Sequence, residues 1–124
     1  VVLASLVERE AMLDTERGKI AGVIKNRLNE NMLLQIDATV VYAITNGLYN
    51  ADKVYYKDLE NPSPYNTYKY KGLPVGAICN PGIKSLKAAL MPDIHKYKFY
   101  HTDENKKDGS HIFTENYDEH LASQ

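Results

Sequence analysis

The chain has 124 residues, a formal net charge of -1, 44% hydrophobic and 25% charged residues. That length supports one domain with one modest core, and the balance is ordinary for a globular protein. It offers no field or Lys/Arg cluster to attract nucleic acid, and no apolar run approaches the roughly 20 residues that span a membrane.

Residues 1 to 12 fit a helix, and the chain enters that pattern at once, from Val1 and without Met. We read it as a piece of a longer protein. Asp14 or Thr15 can cap a second helix, with Glu16 in its first turn where the dipole favours a carboxylate. Ile20, Ala21, Val23, Ile24 and Leu28 supply its apolar stripe. Residues 39 to 46 predict a third short helix, ended by Gly47, and residues 55 to 61 a helical turn. From 62 to 82 the chain holds four of its five Pro and three of its seven Gly. This predicts an irregular segment, with one strand at most, and a loop that long in a compact domain is usually functional. A helix is expected over 85–91, stopped by Pro92. Residues 96–102 alternate like a strand, 103–109 form a polar turn, 110–114 return as a second strand, and 116–123 close as a helix. The fold class is therefore α+β: one mostly helical domain with a small antiparallel sheet near the C-terminus.

The first helix, LASLVEREAML over residues 3 to 13, raises the main question. It carries two glutamates two residues apart, which cannot share a face. At about 100° per residue from Leu3, Leu6 falls near -60°, Val7 near +40° and Leu13 near -80°. Glu10 falls at about -20°, inside that apolar stripe, whereas Glu8 lies near 140°, outside it. Glu8 reads as a solvated charge. A charged, unpaired carboxylate on a core face costs several kcal/mol, so Glu10 must pair with a cation, take a proton or line a cleft. Desolvation raises a carboxyl pKa, which makes Glu10 a candidate general acid. A structural Glu bonded to Arg27 or to backbone amides fits the same geometry.

Other features are weaker. Asp37 or Thr39 can cap the third helix. Alternatively Gln35 and Asp37 sit on the rim of the cleft that holds Glu10. Ten Tyr, two Phe and no Trp suit sugar recognition, and equally suit core aromatics. His95, His101, His111 and His120 lack metal-ligand spacing, so no metal site is expected. A meeting of His101 with His111 across the C-terminal hairpin reads as structural. The lone Cys79 permits no internal disulfide and reads as a half-buried structural residue. No G-x-S-x-G elbow, P-loop or G-x-G-x-x-G is present.

Several separate stretches, in order, then carry a resemblance. They are LASLVERE (3–10), IAGVIKNRL (20–28), MLLQIDATVVYA (32–43), YNTY (65–68), GLPVGAICNPGIKSLKAALMP (72–92) and FYHTDENKKDGSHIFTENYDEH (99–120). Together they resemble the catalytic domain of the YceG-like family, the MltG-type endolytic murein transglycosylases, over essentially the whole chain. The resemblance implies that residues 1–124 are a catalytic domain. It places the family's catalytic acid on Glu10, its Asn-Arg-Leu triplet on Asn26, Arg27 and Leu28, and its Gln and Asp on Gln35 and Asp37. Ala38 departs from the Pro that many members carry there, without removing a functional group.

The implied chemistry is cleavage of peptidoglycan between N-acetylmuramic acid and N-acetylglucosamine without water, leaving a 1,6-anhydromuramoyl end. Glu10 acts as acid and then as base, and no cofactor is needed. Water-using glycosidases flank the bond with two carboxylates; an internal hydroxyl nucleophile needs one. The expected substrate contacts are Asn26, Arg27, Gln35, Asp37, Thr39, Tyr65, Asn66, Tyr68 and Asn80. The expected partners are peptidoglycan glycan strands and cell-wall synthases, on the extracytoplasmic face of the bacterial membrane. Longer members of the family carry an N-terminal membrane helix and a LysM-like module outside the matching region. Competing readings are a lysozyme-like muramidase with Asp37 as second carboxylate, and a non-catalytic glycan-binding module. An aminodeoxychorismate lyase reading needs pyridoxal phosphate on a lysine with a phosphate cradle, and the sequence offers neither.

Overall fold

The computed structural model describes residues 1–51 and 53–123. In chain order the elements are α1 (Val2–Glu10), a 3-10 turn (Asp14–Glu16), α2 (Arg17–Asn29) and α3 (Asp37–Thr45). A second 3-10 turn (Tyr56–Glu60), α4 (Ile83–Leu90), β1 (Phe99–Thr102), β2 (His111–Thr114) and α5 (Tyr117–Ser123) follow. The architecture is α+β, as the hydrophobic pattern predicts.

The core forms where α1, α2 and α4 pack together, with α3 against α1. Leu6 and Val7 of α1, Ile20, Ala21 and Ile24 of α2, and Ile36 and Ile78 from the connecting segments bury there. These are the apolar stripes of the sequence, so burial of periodic hydrophobics sets the helix arrangement. Neither α1 nor α2 has a side-chain cap. The expected Asp14 or Thr15 cap gives way to the 3-10 turn, and Asp14 instead bonds Arg17 at 3.0 Å and Lys84 at 2.6 Å. The third helix starts two residues before the predicted position. It ends as expected, with Asn46 left-handed at φ 52° and the Gly47 N–H donating to Tyr42 O.

No strand forms among the described residues of 62–82. Local side chains compete for the backbone instead. Asn61 Oδ1 accepts from Ser63 N, Ser63 Oγ from Tyr65 N, and Asn66 Oδ1 from Tyr68 N. Each such turn consumes an N–H that a ladder would need. The segment is tied to α1 at its far end, where Ile78 N donates to Ser5 Oγ.

After α4 the chain crosses α2 as a strap over residues 93–98. Asp93 N donates to Gly18 O, and Asn26 Nδ2 donates to the carbonyls of His95 and Tyr97, both at 2.9 Å. A Cβ on Gly18 would lie 2.4 Å from Asp93 Oδ1, and one on Gly22 2.5 Å from the Asp93 carbonyl oxygen. At Gly22 the obstacle is backbone, so only glycine lets the strap approach this closely there; at Gly18 it is the Asp93 side chain. The strap delivers β1, which pairs antiparallel with β2 in the register Tyr100↔Phe113 and Thr102↔His111. The last helix, α5, covers the sheet through Phe99, whose ring lies 5.8 Å from Tyr117 and 5.2 Å from His120.

Candidate active site

Glu10 closes α1 and opens onto a cavity of about 590 Å³. The walls come from α2 (Arg27), the turn before α3 (Gln35), the first residue of α3 (Asp37), Tyr68, the hairpin (Tyr100, His111) and α5 (Tyr117). Residues far apart in sequence therefore converge on the carboxyl that the helical wheel singles out.

Glu10 keeps some access to the cleft while protein atoms crowd its carboxyl. That burial pushes its pKa above the ordinary carboxylate range. A hydrogen bond from Tyr100 works against the rise, Asp37 adds to it, and His111 and Arg9 oppose it. Tyr100 Oη donates to Glu10 Oε1 at 2.6 Å. Burial, then the Glu10 charge, push the Tyr100 hydroxyl well above its usual range, so it remains a donor.

Arg27 is not the partner of Glu10. Its Nε donates to Lys98 O at 2.6 Å and its Nη1 to Leu33 O and Leu34 O at 2.9 and 3.1 Å. The guanidinium thus fastens the end of the strap and the turn before α3 to α2, and lies over the Phe99 ring at 4.8 Å. Desolvation draws its pKa down.

Asp37 begins α3 rather than capping it, and the Tyr68 hydroxyl donates to Asp37 Oδ1. Burial, reinforced by that bond, pushes the Tyr68 hydroxyl pKa up. Gln35 is exposed, left-handed at φ 53°, and donates its N–H to Thr67 O. Gln35, Asp37 and Tyr68 share the cleft with Glu10 and Arg27.

Five expected contacts lie elsewhere, each for a local reason. Asn26 stitches the strap. Thr39 is fully buried and bonds Ile36 O and Thr67 Oγ1. Asn66 is fully buried, its Nδ2 spent on Leu59 O and Asn61 O. Tyr65 packs on Tyr42 at 4.7 Å, and Asn80 is exposed beside α4, outside the cavity lining.

Glu8 also departs from expectation. Its Oε1 accepts from Gly82 N at 2.8 Å and from Ser85 Oγ at 3.0 Å, at the start of α4. The Gly82 bond holds its carboxyl below the usual range. Glu16, assigned to a helix dipole from sequence, is buried instead. Its two oxygens take the His111 backbone N–H at 3.0 Å and Nδ1 at 2.8 Å. The predicted meeting of His101 with His111 does not form: His101 bonds Ser123 Oγ and faces His120.

Sequence reasoning missed Tyr100, Glu16 and the aromatic wall of Phe99 and Tyr117. The signal for Tyr100 is its place in the alternation of FYHT, which sends it and Phe99 to opposite faces. Nothing in sequence periodicity pairs it with Glu10. Among the described residues no group of three or more His, Cys, Asp or Glu could hold a metal ion, and no helix is long and apolar enough to cross a membrane.

The sequence model of the YceG-like family matches residues 1–124. An endolytic murein transglycosylase of Bacillus subtilis (strain 168) is 46% identical over 120 residues, covering 97% of this chain and 32% of that protein. One from Streptococcus pneumoniae (serotype 2, strain D39) is 36% identical over 93 residues, covering 73% of this chain and 17% of that protein. A crystal structure of a yceG-like protein from Listeria monocytogenes superposes with a TM-score of 0.89 at 41% identity, over 98% of this chain and 38% of that one. The chain thus spans about a third or less of the curated relatives it matches.

Proposed function

We propose, from the premise that this chain belongs to the YceG-like family, that it is the catalytic domain of an endolytic lytic transglycosylase acting on peptidoglycan. The observation that carries the reading is Glu10: of the two carboxyls that line the cleft, it is the one crowded by protein atoms and held toward its protonated form by burial. The relatives named endolytic murein transglycosylases support it.

Protonated Glu10 gives its proton to the oxygen linking N-acetylmuramic acid to N-acetylglucosamine, and the bond to C1 breaks. The resulting carboxylate takes the proton from the muramoyl C6 hydroxyl as that oxygen attacks C1. The net change is a 1,6-anhydro ring and a free 4-hydroxyl, with the acid restored and no water consumed. A single group acting twice suits a site with one desolvated carboxyl. Gln35, Asp37 and Tyr68 line the cleft where glycan polar groups dock, and Tyr117 adds an aromatic ring to the same lining. The substrate is the peptidoglycan strand at the extracytoplasmic membrane face, with cell-wall synthases as partners.

A hydrolytic reading has one observation in its favour: Asp37 shares the cleft, so two carboxyls are at hand as in water-using glycosidases. Digestion of purified glycan strands by wild type and Glu10→Gln, read by mass spectrometry, separates the readings. Anhydro ends lost in the variant are expected. Reducing ends alone, one water heavier, would establish hydrolysis. Strand binding without cleavage by the wild type would leave a glycan-binding module.

A further inference from the structure

We infer that Tyr100 is a positioning residue that dictates which oxygen of Glu10 carries the transferable proton. The inference rests on Glu10 being the catalytic acid-base and deepens that reading.

Tyr100 is fixed from behind. Its ring meets His111 edge-on, with centroids 5.3 Å apart at 89°, and Phe113 at 5.8 Å. Buried Glu16 clamps His111 in turn, through both the backbone N–H and Nδ1. The Tyr100 hydroxyl therefore arrives at Glu10 with little freedom. Among the described residues, Glu10 Oε1 is its hydrogen-bond partner.

A carboxylic acid has two oxygens and one proton. With Tyr100 donating to Oε1, a proton on Oε1 would displace the tyrosine hydrogen and leave a buried donor unsatisfied, at the full desolvation cost. The proton therefore resides on Oε2, which remains for substrate. Once transferred, the charge left on Glu10 strengthens the same bond. Oε2 then waits in place to receive the proton from the attacking hydroxyl. The bond also moderates the acid. Desolvation alone makes Glu10 hold its proton tightly, and donation from Tyr100 pulls against this. The other groups that act on Glu10 are Arg9 on α1, Asp37 on α3 and His111 on β2. Arg27 on α2 and Tyr68 act on Tyr100.

The test is the pH profile of kcat/KM for glycan-strand cleavage, whose falling alkaline limb reports loss of the Glu10 proton in the free enzyme. Tyr100→Phe keeps the ring and removes the donor. The expected result is a fall in kcat of about tenfold or more, with the alkaline limb moved to higher pH. Replacing Tyr100 by 3-fluorotyrosine makes the phenol a stronger donor with its shape nearly kept. It moves the limb the opposite way, to lower pH, and this arm decides the matter if Tyr100→Phe misfolds. Limbs that stay in place or move together, with Glu10→Gln inactive, would overturn the role of Tyr100. An active Glu10→Gln would instead overturn the proposed function beneath it.

Discussion

The two sides of α1 take identical side chains into opposite chemistry. On one side Glu8 meets donors: the Gly82 N–H, the Ser85 hydroxyl and, at 3.7 Å, Arg17. On the other, Glu10 meets crowding, one donor from Tyr100, and a second carboxylate in Asp37. The first carboxyl is pulled below its ordinary range and the second pushed above it. What differs is not the residue or its helix but what later segments bring to each face. Where a helix start arrives, the carboxylate becomes a fastener. Where the hairpin closes over it, burial holds the carboxyl toward its protonated form.

The largest expected effect falls on the cleft side. Glu10→Gln should lower turnover on the order of 10² to 10⁴-fold, the range of a general acid-base, while circular dichroism shows the fold intact. Its stability should also reveal the raised carboxyl. A group whose folded pKa is raised costs stability as pH climbs from the unfolded to the folded value. Glu10→Gln should thus melt at or above the wild-type temperature near neutral pH, the gap closing on acidification. A variant markedly less stable than wild type at neutral pH would make Glu10 structural and collapse the contrast.

Arg27 lies on the cleft yet spends its donors on three carbonyls. Arg27→Leu should cost roughly 3 kcal/mol in urea unfolding, because buried acceptors lose their partners. A loss under about 1 kcal/mol with a large fall in kcat would move Arg27 to the substrate.

The smallest effect belongs to Glu8. Glu8→Gln keeps an acceptor and loses only its charge, so about 0.5–1 kcal/mol should be lost, a melting shift of about 2–5 °C. The kcat/KM should hold within about twofold, since Glu8 lies outside the cleft. Here the sign reverses. A lowered carboxyl contributes stability above the unfolded value and loses it as pH falls through the folded one. The wild-type advantage over Glu8→Gln should therefore shrink in acid. If both variants showed the same pH trend, the two faces would not be opposite.

Much of this was legible in the sequence. The helices followed the apolar stripes, and the wheel placed Glu10 among leucines. The segment at 62–82 is irregular as its Pro and Gly content predicts, and its Asn and Ser side chains satisfy the backbone locally, so the one optional strand does not form among its described residues. Asn26 and Arg27 stood out as a motif, but a motif does not say whether its donors meet a ligand or the protein's own carbonyls. The strap resolves that for Asn26, and the turn before α3 for Arg27. Tyr100, 90 positions from Glu10, and Glu16, 95 from His111, were invisible because no local periodicity encodes a contact that tertiary folding makes.

The close passage of the strap over Gly18 and Gly22 reverses a common rule of protein engineering. Replacing a mid-helix glycine by alanine ordinarily strengthens the helix by about 1 kcal/mol. Along α2 the added methyl would meet a backbone oxygen at 2.5 Å on Gly22, lifting the strap and with it the strand that carries Tyr100. A thermostabilising library scored on helix propensity would select changes here that loosen Glu10 from Tyr100. The weakest helix formers in α2 are the positions to hold constant when this domain is redesigned.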